Sequence, residues 1–139
     1  VKTGPAICYE GLYGDFFGDF VRRGAQFMAI ISNDGWWGDT PGYKHLFTIS
    51  RLRAVEHRRA IARSANTGMS GFISARGDIG ETLGWEKRGV ISAAVPLNSE
   101  LTFYTRYGDY LGRISEYLTL LCVLYYIAYR VKRKNYLVK

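Results

Sequence analysis

Cysteine and histidine are scarce in this chain of 139 residues, which contains two of each. Two cysteines, Cys8 and Cys122, are too few for the disulfide framework of a small secreted domain, and no bridge is expected. His45 and His57 do not have metal-ligand spacing with each other or with a cysteine, so no metal is expected. A glycine-rich phosphate loop is also missing, and therefore no nucleotide or other cofactor is implied.

Acidic residues are in the minority, and the formal net charge is +7. Five of the basic side chains lie in the last ten residues: Arg130, Lys132, Arg133, Lys134 and Lys139. A basic tail can bind nucleic acid, but this one directly follows an apolar stretch and has no interleaved aromatic or zinc-module pattern. Membrane placement explains the tail better, and no nucleic-acid partner is expected.

Charge is absent from the run between Tyr117 and Tyr129. The run is short for a spanning helix, which needs about 17 to 25 residues, so a buried core helix or an interfacial helix is the alternative. The tyrosines clustered at the end of the run, directly before the basic residues of the tail, favour a membrane-spanning helix. We expect a transmembrane helix over 110–130 and a cytoplasmic basic tail over 131–139, with the Cys8 domain on the opposite face of the membrane.

Cys8 follows a short apolar segment and precedes Gly11 and Gly14, which allow the backbone to turn tightly. This arrangement is typical of a nucleophile on an elbow at the end of a strand. A buried, unreactive side chain is the alternative, because free cysteine is among the most buried residue types. Cys122 lies inside the apolar run, where we expect an inert packing residue.

Apolar periodicity predicts alternating helices and strands. In chain order, we expect a helix over 15–23, a strand over 26–32 covered on both faces, a helix capped by Thr40 and continuing to 65, a strand over 71–75, a turn over 76–80 and a strand over 90–95. This alternation predicts a two-layer α/β unit.

The run from Ser32 to Asp39 mixes small, polar and aromatic residues after a predicted strand. Loops in such places commonly carry function on a rigid scaffold. Asn33 and Asp34 can bind loop N–H groups or polar substrate atoms, while Trp36 offers a large apolar face. For Trp37 a core position is an equal alternative.

Four runs in this order resemble the carbon-nitrogen hydrolase (nitrilase) superfamily: Ile-Cys-Tyr-Glu at 7–10, Ile-Ser-Asn-Asp-Gly-Trp-Trp-Gly at 31–38, Arg-Ala-Val-Glu at 53–56 and Arg-Ser-Ala-Asn-Thr-Gly at 63–68. Within the superfamily, residues 33–36, 62–68 and 102–109 look like the apolipoprotein N-acyltransferase branch. The resemblance implies that 1–109 is the C-terminal half of a nitrilase-like αββα sandwich, followed by one C-terminal transmembrane helix.

The resemblance also implies a chemistry. Cys8 would be the catalytic nucleophile and carry the acyl group as a thioester, and the backbone N–H of Tyr9 would stabilise the oxyanion. The family's catalytic glutamate and lysine precede the cysteine, so we expect this chain to be inactive alone. The acyltransferase branch implies a phospholipid acyl donor, an apolipoprotein acceptor and the bacterial inner membrane, with the catalytic domain on the periplasmic face.

Four residues match positions near the family's active site: Tyr9, Glu10, Asn33 and Trp36. Glu10 would orient the acceptor amine or hold the catalytic lysine; alternatively, it is a solvated residue of the elbow. Trp36 would form one side of the binding site for the acyl chain. For Glu56, pairing with arginine on its own helix is a sufficient structural reason.

Two other functions stay open. A soluble amidase or carbamoylase of the same superfamily would use the same cysteine and pass the acyl group to water. A non-catalytic, membrane-anchored module would keep the fold and bind through the aromatic loop. The apolar run with its basic tail and the segment 102–109 favour the acyltransferase.

Overall fold

A computed structural model describes the backbone of residues 1–137 and the side chains of residues 1–133. The chain forms two compact units, the first from Val1 to Gly108 and the second beginning at Asp109. Of the expected basic tail, the side chains of Lys134 and Lys139 lie outside the described residues.

The first unit is built on one sheet of five strands, which lie side by side in chain order. The strands are β1 (Thr3–Ile7), β2 (Phe27–Ser32), β3 (Ile61–Ala65), β4 (Ser70–Ile73) and β5 (Ile79–Leu83). β1, β2 and β3 are parallel, and β4 and β5 continue the sheet antiparallel. Helix α1 (Gly14–Arg22) joins β1 to β2, and α2 (Pro41–His57) joins β2 to β3. The predicted α/β fold is confirmed.

The core lies between one face of the sheet and the two helices. Ala6, Met28 and Ile30 alternate along β1 and β2 and are buried against Phe17 of α1 and Phe47 of α2. This alternation is the period of two that puts successive strand residues on opposite faces.

The other face of β2 is partly open in this structure. Ile31 points away from the helices and is 60% exposed. The expectation that this strand is covered on both faces is met only in part by the described residues, since Phe27 and Ala29 are partly buried and Ile31 is exposed.

Helix α2 begins where the sequence predicts but ends earlier. The Thr40 hydroxyl accepts a hydrogen bond from the Gly42 N–H at 3.3 Å, and Pro41 occupies the first turn. The helix ends at Arg58, whose φ of 50° is left-handed, and 61–65 forms β3. The expected helix to residue 65 is wrong because 61–65 pairs with β2, which is distant in sequence, and with the following strand β4, and this pairing decides its conformation.

The later strands also differ from the expected ones. β4 corresponds to the strand expected over 71–75. The last two residues of the turn expected over 76–80 already belong to β5. The Ser74 hydroxyl accepts hydrogen bonds from the N–H groups of Arg76 and Asp78, which returns the chain immediately to the sheet. The strand expected over 90–95 is wrong: this segment has no sheet pairing, since β5 already completes the hairpin.

A short helix that the sequence pattern does not predict, α3 (Phe103–Tyr107), closes the first unit. The second unit contains α4 (Tyr110–Leu137). Its stretch from Tyr110 to Arg133, 24 residues, is long and apolar enough to cross a membrane, and none of it is buried.

Candidate active site

A sharp turn places Cys8 at the end of β1. A 3₁₀ turn, Cys8–Leu12, follows the strand without a linker, and Cys8 has a φ of 52°. The left-handed conformation costs a residue with a Cβ about 1–2 kcal/mol. Backbone strain of this kind is concentrated at functional sites. The side chain is half-buried, so the thiol lies at the boundary between protein and solvent.

Strand register brings Cys8 and the aromatic loop to one edge of the sheet. Ile7 pairs with Ile31, and Ser32 pairs with Ala65, so the three parallel strands end at the same level. The Asn66 N–H donates to the Ser32 carbonyl at 3.2 Å and extends the pairing beyond β3. The carboxyl edge of parallel strands is where open α/β sheets bind ligands.

Glu10 is bonded to the elbow itself. Its Oε2 accepts a hydrogen bond from the Ile7 N–H at 2.7 Å, across the position of Cys8. The carboxylate therefore holds the turn closed. Tyr9, between them, is exposed.

The aromatic loop presents its predicted residues to solvent. Trp36 is 84% exposed, and Asn33 lies on the surface with its Oδ1 accepting from the Gly35 N–H at 3.1 Å. Trp37 is exposed and not in the core, and its ring lies where a Cβ at Gly42 would fall.

Asp34 is fully buried beside Arg63, which is 5% exposed. Arg63 Nη2 donates to Asp34 Oδ1 and Oδ2 at 2.9 and 2.8 Å, and the Ser32 hydroxyl donates to Oδ1 at 2.5 Å. The sequence pattern does not reveal this pair, because it places Arg63 in the helix expected to continue to residue 65. Strand alternation from the buried Ile61 would have placed Arg63 on the core face.

His57 is the buried link between the elbow and α3. Its Nε2–H donates to the Gly14 carbonyl at 3.0 Å, and its Nδ1 accepts from the Thr105 hydroxyl at 2.8 Å. Burial, together with the positive charges of Arg53, Arg22 and Arg59, lowers the pKa of His57 to about 4, although the hydrogen bond to the Gly14 carbonyl opposes this shift. The imidazole is therefore neutral near pH 7.

Glu56 forms the predicted ion pair within α2. Its Oε2 lies 3.1 Å from Arg53 Nε, three residues earlier. Burial raises the pKa of Glu56, and the Arg53 charge opposes that rise. The backbone carbonyl of Glu56 also accepts from the Thr102 hydroxyl at 2.6 Å, which attaches the start of α3 to α2.

The fold is that of the nitrilase superfamily. The chain is similar to Nit3 of Saccharomyces cerevisiae, a member of branch 10 of that superfamily, with a TM-score of 0.55 and 22% identity over 62% of this chain and 34% of the other. It is also similar to the NitFhit protein of C. elegans, with a TM-score of 0.53 and 22% identity over 60% of this chain and 22% of the other. The carbon-nitrogen hydrolase profile matches residues 1–101, and the chain belongs to this family.

Relatives within the family confirm the predicted resemblance. The chain is 43% identical to an apolipoprotein N-acyltransferase of Chlorobaculum tepidum over 109 residues, 78% of this chain and 20% of the relative. It is 44% identical to one of Rhizobium meliloti over 92 residues, 66% of this chain and 17% of the relative. For one of Bdellovibrio bacteriovorus the identity is 35% over 127 residues, 89% of this chain and 22% of the relative. The chain thus spans about one fifth of the length of these relatives.

Proposed function

We propose that this chain is the nucleophile-bearing part of an apolipoprotein N-acyltransferase. In this proposal, Cys8 carries an acyl chain as a thioester between a membrane phospholipid and the N-terminal amine of diacylglyceryl-cysteine on an apolipoprotein. The observation that carries the proposal is the position of Cys8, strained and half-buried at the carboxyl edge of three parallel strands. The names of the relatives support an apolipoprotein as the acyl acceptor.

In the first half-reaction, the Cys8 thiolate attacks an ester carbonyl of the phospholipid. An S–C bond forms and the ester C–O bond breaks. The lysophospholipid leaves as an alcohol after taking up the proton that the general base removed from the Cys8 thiol. We assign oxyanion stabilisation to the Tyr9 N–H, since the first N–H groups of a helical turn have no acceptor within it. The resemblance implies a glutamate as general base and a lysine beside the oxyanion, both from residues before Cys8.

In the second half-reaction, the acceptor amine attacks the thioester carbonyl. An amide bond forms and the C–S bond breaks. The amine proton passes to the general base and from it to the departing Cys8 thiolate, so Cys8 is free again. Asn33 and Trp36 are the proposed substrate contacts at the same sheet edge. Glu10 Oε2 is already bonded to Ile7, so an additional role for Glu10 toward the amine or the lysine would use Oε1.

Both proposed substrates are lipids or lipid-anchored. Burial of an acyl chain contributes about 0.8 kcal/mol per CH₂ group, which keeps the donor and acceptor in the bilayer. A helix such as α4 would keep the catalytic domain beside them. We therefore propose that the protein lies in the bacterial inner membrane, with the Cys8 domain on the periplasmic face and the C-terminal tail in the cytoplasm.

The proposal is tested on the whole membrane protein incubated with phospholipid and without acceptor. Mass spectrometry of the peptide containing Cys8 should show an acyl adduct that hydroxylamine removes. The adduct should be absent from Cys8→Ala and present in Cys122→Ala, the matched control. An unmodified Cys8 in folded protein would contradict the proposal; turnover of an amide substrate by that protein would then support the amidase alternative.

A further inference from the structure

We infer that the buried Asp34–Arg63 pair positions the substrate loop relative to Cys8, and this inference rests on the proposed function of Asn33 and Trp36. Asp34 lies between these two residues in sequence, yet its side chain points in the opposite sense, into the protein. The two proposed contacts are exposed, so the fixed point of their loop is Asp34.

Arg63 anchors the loop to several elements at once. Beyond its contacts with Asp34, its Nε donates to the Met69 carbonyl at 3.3 Å and its Nη1 to the Ser50 hydroxyl at 3.5 Å. β3, the segment after it and helix α2 are thereby joined to the loop that follows β2. A guanidinium can make these contacts together because its donors form a rigid planar fork.

The loop after β3 is shaped to meet the Asp34 carboxylate. A Cβ at Gly68 would overlap the carboxylate, so glycine is the residue that lets the two loops close on each other. The fit at Gly35 is close but less extreme, with 3.2 Å between Thr67 Oγ1 and the position of a Cβ. The contact therefore extends from the buried pair to the surface beside Trp36.

A buried ion pair is weak evidence for added stability, because desolvating both charges offsets much of their attraction. The directional hydrogen bonds of the pair nevertheless hold Asp34 and Arg63 in one relative orientation. The position of Asn33 and Trp36 is therefore set by the Asp34–Arg63 geometry, and loosening it should weaken substrate binding more than it slows chemistry at Cys8.

Arg63→Lys in the whole membrane protein tests this inference. Lysine keeps the charge but cannot reach Asp34, Met69 and Ser50 together. We expect amide hydrogen exchange over 33–38 and 66–69 to become faster by about tenfold, and KM for the acyl acceptor to rise about tenfold with kcat changed less than twofold.

Arg59→Lys is the matched control. Arg59 is buried as completely, but it donates to backbone carbonyls, those of Ala25 at 2.7 Å and Glu100 at 2.9 Å among them. This variant should lower the melting temperature without changing exchange in the two loops or KM. Equal effects of both substitutions on exchange and KM would overturn the inference, because the pair would then act through global stability alone.

Gly68→Ala gives a second test that leaves both Asp34 and Arg63 in place, should Arg63→Lys fail to fold. The added methyl group should displace Asp34 and produce the same faster exchange over 33–38. Unchanged exchange would overturn the inference. Hydrogen exchange needs no turnover, so the loop result stands apart from the Cys8 acylation result: faster exchange with no acyl adduct would reject the proposed function and keep the positioning role.

Discussion

His57 Nδ1 lies 2.8 Å from Thr105 Oγ1, a hydrogen bond that joins residues 48 positions apart in the interior of the first unit. The same imidazole holds the Gly14 carbonyl, at the start of the helix that follows the Cys8 elbow. Arg22, near the end of that helix, donates to the Thr105 carbonyl at 2.6 Å. The elbow helix and the segment before the apolar helix are therefore held by a common hydrogen-bond network, in which His57 and Thr105 are buried and Arg22 is exposed.

This network makes stability depend on pH. The pKa of His57 is lowered from 6.5 to about 4 in the folded protein, so between these values the unfolded chain binds more protons. The contribution of His57 to the free energy of unfolding is thus fully present above pH 6.5 and is lost as pH falls toward 4. We expect a loss of about 2–3 kcal/mol between about pH 7.5 and 4.5 from this residue. Unfolding of the whole protein in detergent at both pH values measures it.

His57→Gln should remove most of that pH dependence, at the cost of lower stability at neutral pH. His45 provides the control, because it is exposed and has no such network. His45→Gln should leave the difference between the two pH values unchanged. If His57→Gln retained the full difference, the acid sensitivity would belong to other groups.

Thr105→Val should destabilise the first unit. Valine has a similar shape but cannot donate to His57 Nδ1, and an unsatisfied buried polar group costs about 1–3 kcal/mol. Thr48→Val is the comparison: Thr48 is exposed on α2 and donates to the Lys44 carbonyl at 2.9 Å. A change below about 0.5 kcal/mol is expected there. Chemical denaturation of the three proteins checks the ranking, and equal midpoints for both variants would contradict it.

Replacing Cys8 should separate strain from chemistry. Cys8→Ala keeps a Cβ at a φ of 52°, whereas Cys8→Gly removes it. We expect the glycine variant to be more stable than the alanine variant by about 0.5–1 kcal/mol, because glycine adopts left-handed conformations without steric cost. Both should fail to form the acyl adduct. Thermal unfolding compares them, and a more stable alanine variant would show that the elbow is not strained.

The apolar helix can be tested through its own cysteine. Cys122 lies within the stretch Tyr110–Arg133 and is exposed on the surface of α4. In intact membranes, a protein with Cys122 as its sole cysteine should resist a charged maleimide that cannot cross the bilayer, and should react after detergent is added. A cysteine placed at exposed Ser99 should react in a preparation open to its side of the membrane. Rapid labelling of Cys122 before detergent would favour an interfacial helix instead.

Local sequence predicted several elements well. α1, β2, the start of α2 at Thr40 and the apolar helix from residue 110 follow from periodicity and capping. Prediction failed for 61–65 and 90–95, where short segments without a clear period fit more than one conformation. At these places the outcome depends on which distant strands are available as partners.

The sequence by itself determined the family, the elbow cysteine with its two turn glycines, and a helix apolar enough for a membrane, because these depend on residue identity and short spacing. The tertiary structure decided which charged residues are buried. Asp34 and Arg63 are 29 positions apart, and His57 meets Gly14 and Thr105 from other elements. Such partners come together only when strand register and helix packing are formed, because a buried polar group must find its bonding partner wherever the fold places it.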